Sequence, residues 1–245
     1  MEADVDARKI AFHVTDAAWY RQRSSTVIKT GALLLSLLAA ATSAHGNECG
    51  ELYKTGRYGP YDWKDRPNVG HVEIAHFGPS IEALQDTEWN LAQNIGYLLH
   101  AAPNHPRALD ALVRFGEKFK SNKTPHLAYP IGCWFDRAIL FRPKDTVVRV
   151  MYAQYLVKQG RKDDGLKQLE AANFNAGENG FSHYNIGLMY MKLNEYSLAA
   201  ASARRARELD FPRTDLMDEL IRLNRWTEPD RAAASPGPSA SSNNP

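Results

Sequence analysis

Three alanines, Ala138, Ala172 and Ala206, stand 34 residues apart along the chain. A fixed interval of that length means that one helical unit is built more than once. Other positions keep the same phase. Gly165 and Ala199 precede the last two alanines by seven residues, and Ala153 and Gly187 precede them by nineteen. Small residues recur where paired helices approach closely, because a larger side chain would hold the backbones apart. Larger residues repeat around them, Tyr152 with Ile186 and Leu156 with Tyr190. The chain is therefore expected to stack helix-turn-helix units, each burying its apolar face against the next.

The runs Tyr152-Ala153-Gln154-Tyr155-Leu156 and Ile186-Gly187-Leu188-Met189-Tyr190 are similar to the Leu-Gly-x-x-Tyr core of a first tetratricopeptide (TPR) helix. A more spread copy lies upstream. Its first helix reads from Leu112 with Phe115-Gly116-Glu117-Lys118-Phe119, and its second, residues 132–140, carries Ala138 and runs out toward Pro143. Gly116 lies 37 residues before Ala153, three more than the repeat, and residues 121–130 carry the excess, with Pro125 and Pro130 barring a helix there. A half-copy at residues 91–101 supplies a leading helix. The region resembles TPR proteins. That resemblance implies an all-α, TPR-like right-handed helix-pair array with an irregular N-terminal cap and a C-terminal capping helix.

The amino end reads as a leader, residues 1–46. Residues 32–41 form an apolar run too short for a membrane span of about 20 residues, flanked by Arg21, Arg23 and Lys29. This is the hydrophobic region of a secretory signal, with a small-x-small cleavage site at Thr42-Ser43-Ala44 or Ala44-His45-Gly46. Glu2, Asp4, Asp6 and Asp16 make a long, mixed-charge preface. It leaves open a start at Met1 or Val27 and a cleaved signal or a retained anchor. The expected location is periplasmic or secreted, in a bacterium. Residues before Cys49 lack a lipidation pattern. Cys49 and Cys133 are the chain's two cysteines and neither has zinc spacing. In an oxidising compartment they would close a disulfide; the other reading is two free thiols.

Residues 47–80 are rich in Gly, Pro and aromatics, among them Tyr53, Tyr58, Tyr61, Trp63 and Phe77. They read as an irregular cap laid over the first helices of a helical domain at residues 81–226. Cys49-Gly50, Tyr58-Gly59-Pro60-Tyr61-Asp62-Trp63, Ala75-His76-Phe77, residues 103–109 and Cys133-Trp134-Phe135-Asp136-Arg137-Ala138 together resemble poorly characterised exported bacterial TPR proteins, over residues 48–226, without bringing an activity. Residues 214–226 are amphipathic, with Leu216, Leu220, Ile221 and Leu223 on one side, as a capping helix requires. Residues 227–245 lack bulky apolar groups and are expected to be a disordered tail.

A net charge of +2 is too mild to indicate nucleic acid. No phosphate loop, His-Glu-x-x-His or Gly-x-Ser-x-Gly is present. No catalytic residue, cofactor or metal is therefore expected, and the chain reads as a non-enzyme. His71, His76, His100 and His105 all fall in the first half, and spacing leaves open whether they converge. Glu73 and Glu82 read as surface carboxylates.

Two functions from different classes follow. One is an exported scaffold that binds a partner protein, as an extended or helical segment, in the concave groove of the first helices. The other is small-ligand or hydrolytic work, such as sugar stacking, at Tyr58, Tyr61, Asp62 and Trp63. For the scaffold, the TPR pattern carried onto this chain marks Val113, Glu117 and Lys120, then Val150, Gln154 and Lys158, then Tyr184, Leu188 and Lys192. Lys120, Lys158 and Lys192 would form a ladder of positive charge suited to an acidic segment or a free C-terminus; the alternative is three solvated lysines.

Overall fold

The structure, a computed structural model, describes residues 49–53 and 58–226. The expected leader and tail lie outside these residues. Among the described residues there are ten helices and no strand: α1 (Arg66–His76), α2 (Pro79–Glu82), α3 (Glu88–Ala101), α4 (Pro106–Phe119), α5 (Ile131–Phe141), α6 (Thr146–Lys158), α7 (Lys162–Asn175), α8 (Gly180–Lys192), α9 (Tyr196–Glu208) and α10 (Asp215–Arg222). The all-α expectation holds at this level.

The 34-residue interval reappears in three dimensions. Both ends of α6 map onto both ends of α8 by that shift, and the start of α7 maps onto the start of α9. The helix caps repeat too. Asp145 accepts a hydrogen bond from the Val148 amide at 3.1 Å, and Asn179, 34 residues on, accepts from the Ser182 amide at 2.9 Å. Each cap satisfies an amide that the first helical turn leaves without a partner. After α6, Gly160 turns left-handed at φ 77°, and after α8 Asn194 does so at φ 61°. The amides of Arg161 and Glu195 then bond back to the carbonyls of Leu156 and Tyr190, each at 2.9 Å, closing the helix ends in the same way.

Packing follows the small residues. Ala138, Ala153, Ala172 and Ala199 have no exposed surface, and Ala206 is buried. A Cβ on Gly165 would stand 2.8 Å from Val157 and 3.1 Å from the Ala153 carbonyl oxygen. One on Gly187 would meet Leu216 at 2.5 Å and Ser202 at 3.1 Å. Thus α6 lies tightly on α7, and α8 on α9. In addition α4, α6, α8 and α10 lie side by side, while α5 packs on α6, α7 on α8 and α9 on α10. The largest fully buried side chains, Trp134, Phe115 and Phe135 with Leu91, Ile95, Leu98, Leu109 and Leu112, put the core's centre among α3, α4 and α5. Phe135 stacks on Tyr152 at 4.9 Å, carrying that core on to α6.

Two boundaries differ from the sequence reading. The segment read as irregular from residue 47 to 80 contains α1, because Pro67 sits in the first turn, where a missing amide costs nothing and φ is already helical. The last helix stops at Arg222, with Asn224 left-handed beyond it. Its buried face is Leu216 and Leu220, while Ile221, one residue round the helix, is half exposed.

The amino segment is fastened at several places. The sulfurs of Cys49 and Cys133 stand at disulfide distance, 2.01 Å. The buried Arg137, one turn further along α5, donates from Nη1 to the carbonyl oxygens of Cys49 at 3.0 Å, Gly50 at 3.3 Å and Glu51 at 3.0 Å. Its guanidinium lies 5.2 Å from the Tyr129 ring, so one buried cation is met by three carbonyl dipoles and a π-face. Further on, the Tyr61 amide donates to the Ala101 carbonyl at 2.8 Å. Gly59, at φ 94°, makes this approach possible, since a Cβ there would stand 2.5 Å from the Ala101 oxygen.

Gly187→Leu should drive a branched side chain into Leu216 and Ser202 and destabilise the fold by about 1–3 kcal/mol, even after the gain in helix propensity. Gly70 in α1 has nothing within 4 Å of its Cβ position, so Gly70→Ala should stabilise by up to about 1 kcal/mol. Urea denaturation of the two variants checks both; an unshifted midpoint for Gly187→Leu would remove the close approach as the basis of the repeat.

Candidate functional site

The side-by-side row α4, α6 and α8 carries eight of the nine residues marked for the groove, but the row does not present them equally. Val113, Gln154 and Leu188 are partly exposed, and Glu117, Lys158 and Lys192 are exposed. Val150 and Tyr184 are each only 2% exposed and cannot be touched by a partner. Tyr184 is covered by the chain's own C-terminal part: its hydroxyl donates to Asp215 at 2.6 Å, and Arg213 lies over its ring at 4.9 Å. Burial first, then the Asp215 carboxylate, raises the phenol's pKa. Sequence periodicity gives the face of a helix but not what a later segment lays across it.

The lysine ladder also needs correction. Lys120 follows the last residue of α4 as a left-handed cap, φ 51°, so it leaves the helical register that Lys158 and Lys192 keep. Lys158 is ion-paired, its Nζ 2.5 Å from Glu117 Oε1 on α4. Both partners were marked by the same pattern, but their mutual neutralisation was not foreseen. Lys192 feels its neighbour. Burial of the ammonium, then the charge of Lys158, holds its pKa below the ordinary lysine value, although the residue as a whole keeps exposed surface. Gln154, one turn before Lys158, buries its Oε1 without a hydrogen-bond donor.

Between the ends of α4 and α6 lies a pocket of about 270 Å³. Val113, Ile131 and Tyr155 supply its apolar wall; Glu117, Lys120 and Lys158 surround it with charge. It exists because the α4–α5 link is long. Residues 120–130 swing out after α4, and the Ile131 amide is fixed to the Asn122 carbonyl at 2.9 Å. Asn122 in turn donates to Gln159 at 2.9 Å. The corresponding links after α6 and α8 are only three residues. The two prolines of the insert were the sequence signal for this site.

The four aromatic-segment residues have different partners. Tyr58 and Tyr61 pack together at 5.0 Å, with His71 at 5.2 Å from Tyr58. Asp62 pairs with Arg142 at 2.6 Å, and Trp63 turns its edge to His105. The histidines are likewise dispersed. His76 bonds Asn94 at 3.0 Å and stacks on Tyr97, while His100 lies near Arg137 and Trp134. Among the described residues no group of three or more His, Cys, Asp or Glu side chains could hold a metal.

Glu73, read as a surface carboxylate, is buried. His105, 1% exposed, accepts from the Ala108 amide at Nδ1, 3.2 Å. Its remaining Nε2 proton therefore donates to Glu73 Oε1, 2.9 Å away. Arg66 pairs with the other oxygen, and Arg107 bridges Glu73 to Glu82, 2.5 Å from the latter. Burial alone would raise the Glu73 pKa, but the hydrogen bonds from His105 and Arg66 and the Arg66 charge outweigh it and bring it to about 2. His105 and Arg107 reach Glu73 from the start of α4, while Arg66 lies with it on α1, so the cluster is a structural knot. Nothing in the sequence spacing links residues 73 and 105.

Comparison with protein-family models, with curated proteins and with solved structures finds no match.

Because the folded Glu73 pKa lies below the ordinary 4.5, its stabilisation is complete above that pH and fades as pH falls toward about 2. At ~1.4 kcal/mol per pKa unit this amounts to at most about 3 kcal/mol, and less because Arg66 is more than half exposed. Glu73→Gln should therefore lower stability by about 2 kcal/mol at pH 7 and by much less at pH 2. Denaturant midpoints at the two pH values measure the difference; equal losses at both would mean that the charge is not what matters.

Proposed function

We propose that this protein is an exported scaffold of the TPR kind, which holds a segment of a partner protein along the face of α4, α6 and α8. The observation that carries the reading is the 34-residue superposition of α6 on α8, caps and small residues included. Units repeated in that way form a continuous ribbon surface rather than a closed cleft, and such surfaces serve extended ligands. The cysteine pair at disulfide distance fits an oxidising compartment. Charge favours an acidic partner, since Lys120 and Lys192 flank the neutralised Glu117–Lys158 pair.

A photocrosslinking residue at Leu188 should capture one defined protein from the exported fraction of the native cell. Lys120→Glu with Lys192→Glu should abolish that capture, the Glu117–Lys158 pair being intact, and a melting curve checks that the variant is still folded. Undiminished capture by the double variant would show that the partner does not read this face.

A further inference from the structure

The groove above has one chain-specific feature, the pocket that the long α4–α5 link builds beside it. Its volume, about 270 Å³, falls just below the range of ~300–1,000 Å³ that small-molecule and cofactor sites occupy, so it suits one side chain better than a whole ligand. The wall is apolar where Val113, Ile131 and Tyr155 meet, and Ile131 is almost wholly buried, so the floor is fixed. At the rim stand two lysines, Lys120 and Lys158, against one carboxylate, Glu117. That carboxylate reaches across from α4 to Lys158 on α6, at 2.5 Å, with both side chains about half exposed.

Resting on the groove reading, we infer that this pocket is the groove's specificity site for an aliphatic side chain of the partner, and that Glu117 is an internal stand-in for the acidic residue beside it. The partner's carboxylate takes Lys158 from Glu117 as the aliphatic group enters between Val113, Ile131 and Tyr155. No covalent step is involved. The charge count favours this occupant: two cations and one anion at the rim leave room for one further anion. A basic segment would face two lysines, and a neutral one would leave the internal pair closed. The internal pair costs the ligand little, because exposed ion pairs are weak, so displacing it reduces affinity only about two- to fivefold. Its effect is discrimination: segments without a carboxylate do not open it.

The test uses the full mature chain and a fluorescein-labelled hexapeptide, Gly-Gly-Asp-Leu-Asp-Gly, with two controls in which both Asp are Asn or Leu is Gly. Fluorescence anisotropy should show the acidic aliphatic peptide binding at least tenfold more tightly than either control. E117Q should tighten the acidic peptide about two- to fivefold without improving the Asn control, and V113W, which fills the pocket, should remove the advantage of Leu over Gly. A gain in E117Q shared equally by the Asn control would overturn the stand-in role, and loss of binding in E117Q would make Glu117 part of the binding surface instead. Failure of the acidic peptide to bind wild type or E117Q would overturn the pocket assignment. If capture through Leu188 persists in that case and is still lost in the double lysine variant, the groove reading stands and only the pocket falls.

Discussion

Close approach of helix backbones at small residues is the constraint on which this architecture rests. Gly165 against Ala153, and Gly187 against Ser202 and Ala199, let the two helices of a pair touch almost main chain to main chain. Because dispersion falls off steeply with separation, these contacts cannot be loosened by even a methyl group without cost. Once each pair is fixed at that distance, the next pair must follow at the same offset, and α4, α6 and α8 come to lie in a row. The row, and with it any groove, is a consequence of the pairs' thinness.

The amino end of the row is finished by different physics. Beside the buried side chains of Leu52, Val69, Val72 and Phe77, the preceding segment is held by directed bonds. Arg137 collects the carbonyls of residues 49–51, and the cysteine pair fixes the same stretch to α5. Asn104, buried, accepts from the Trp63 amide and donates to Asp145, the cap of α6. The cap of one helix is thereby tied to the segment lying over another. Such a network depends on every member, since a buried polar group left without a partner is costly. The C-terminal end is closed more simply, by Leu216 and Leu220 of α10 and by the bond from Tyr184 to Asp215.

These closures shape the candidate site as much as the repeat does. α10 removes Tyr184 from the accessible face and Val150 is buried as well, so the face is narrower than the repeat pattern implies. The insert after α4 has the opposite effect. In place of a short turn it adds a wall, and the only charge pair crossing from α4 to α6 among the described ion pairs sits at its edge. Electrostatics here are local: Lys158 is answered by Glu117, while Lys192 is crowded by Lys158.

What the sequence by itself determined is whatever depends on residue type at a fixed interval. The 34-residue phase of Ala138, Ala172 and Ala206, and of the smaller residues before them, determined the helical class, the paired packing and the register, because a side chain's volume acts wherever it stands. The prolines at 125 and 130 determined that the link before α5 would be irregular, and the count of two cysteines left one possible bridge. Tertiary structure decided everything that depends on residues far apart in the chain. That Tyr184 is closed off was decided by α10, whether Lys158 is free was decided by Glu117 on another helix, and Glu73 became a buried anion only when α4 brought His105 and Arg107 to it. Charge pairing and solvent access are properties of neighbours in space, and no periodicity along one helix records them.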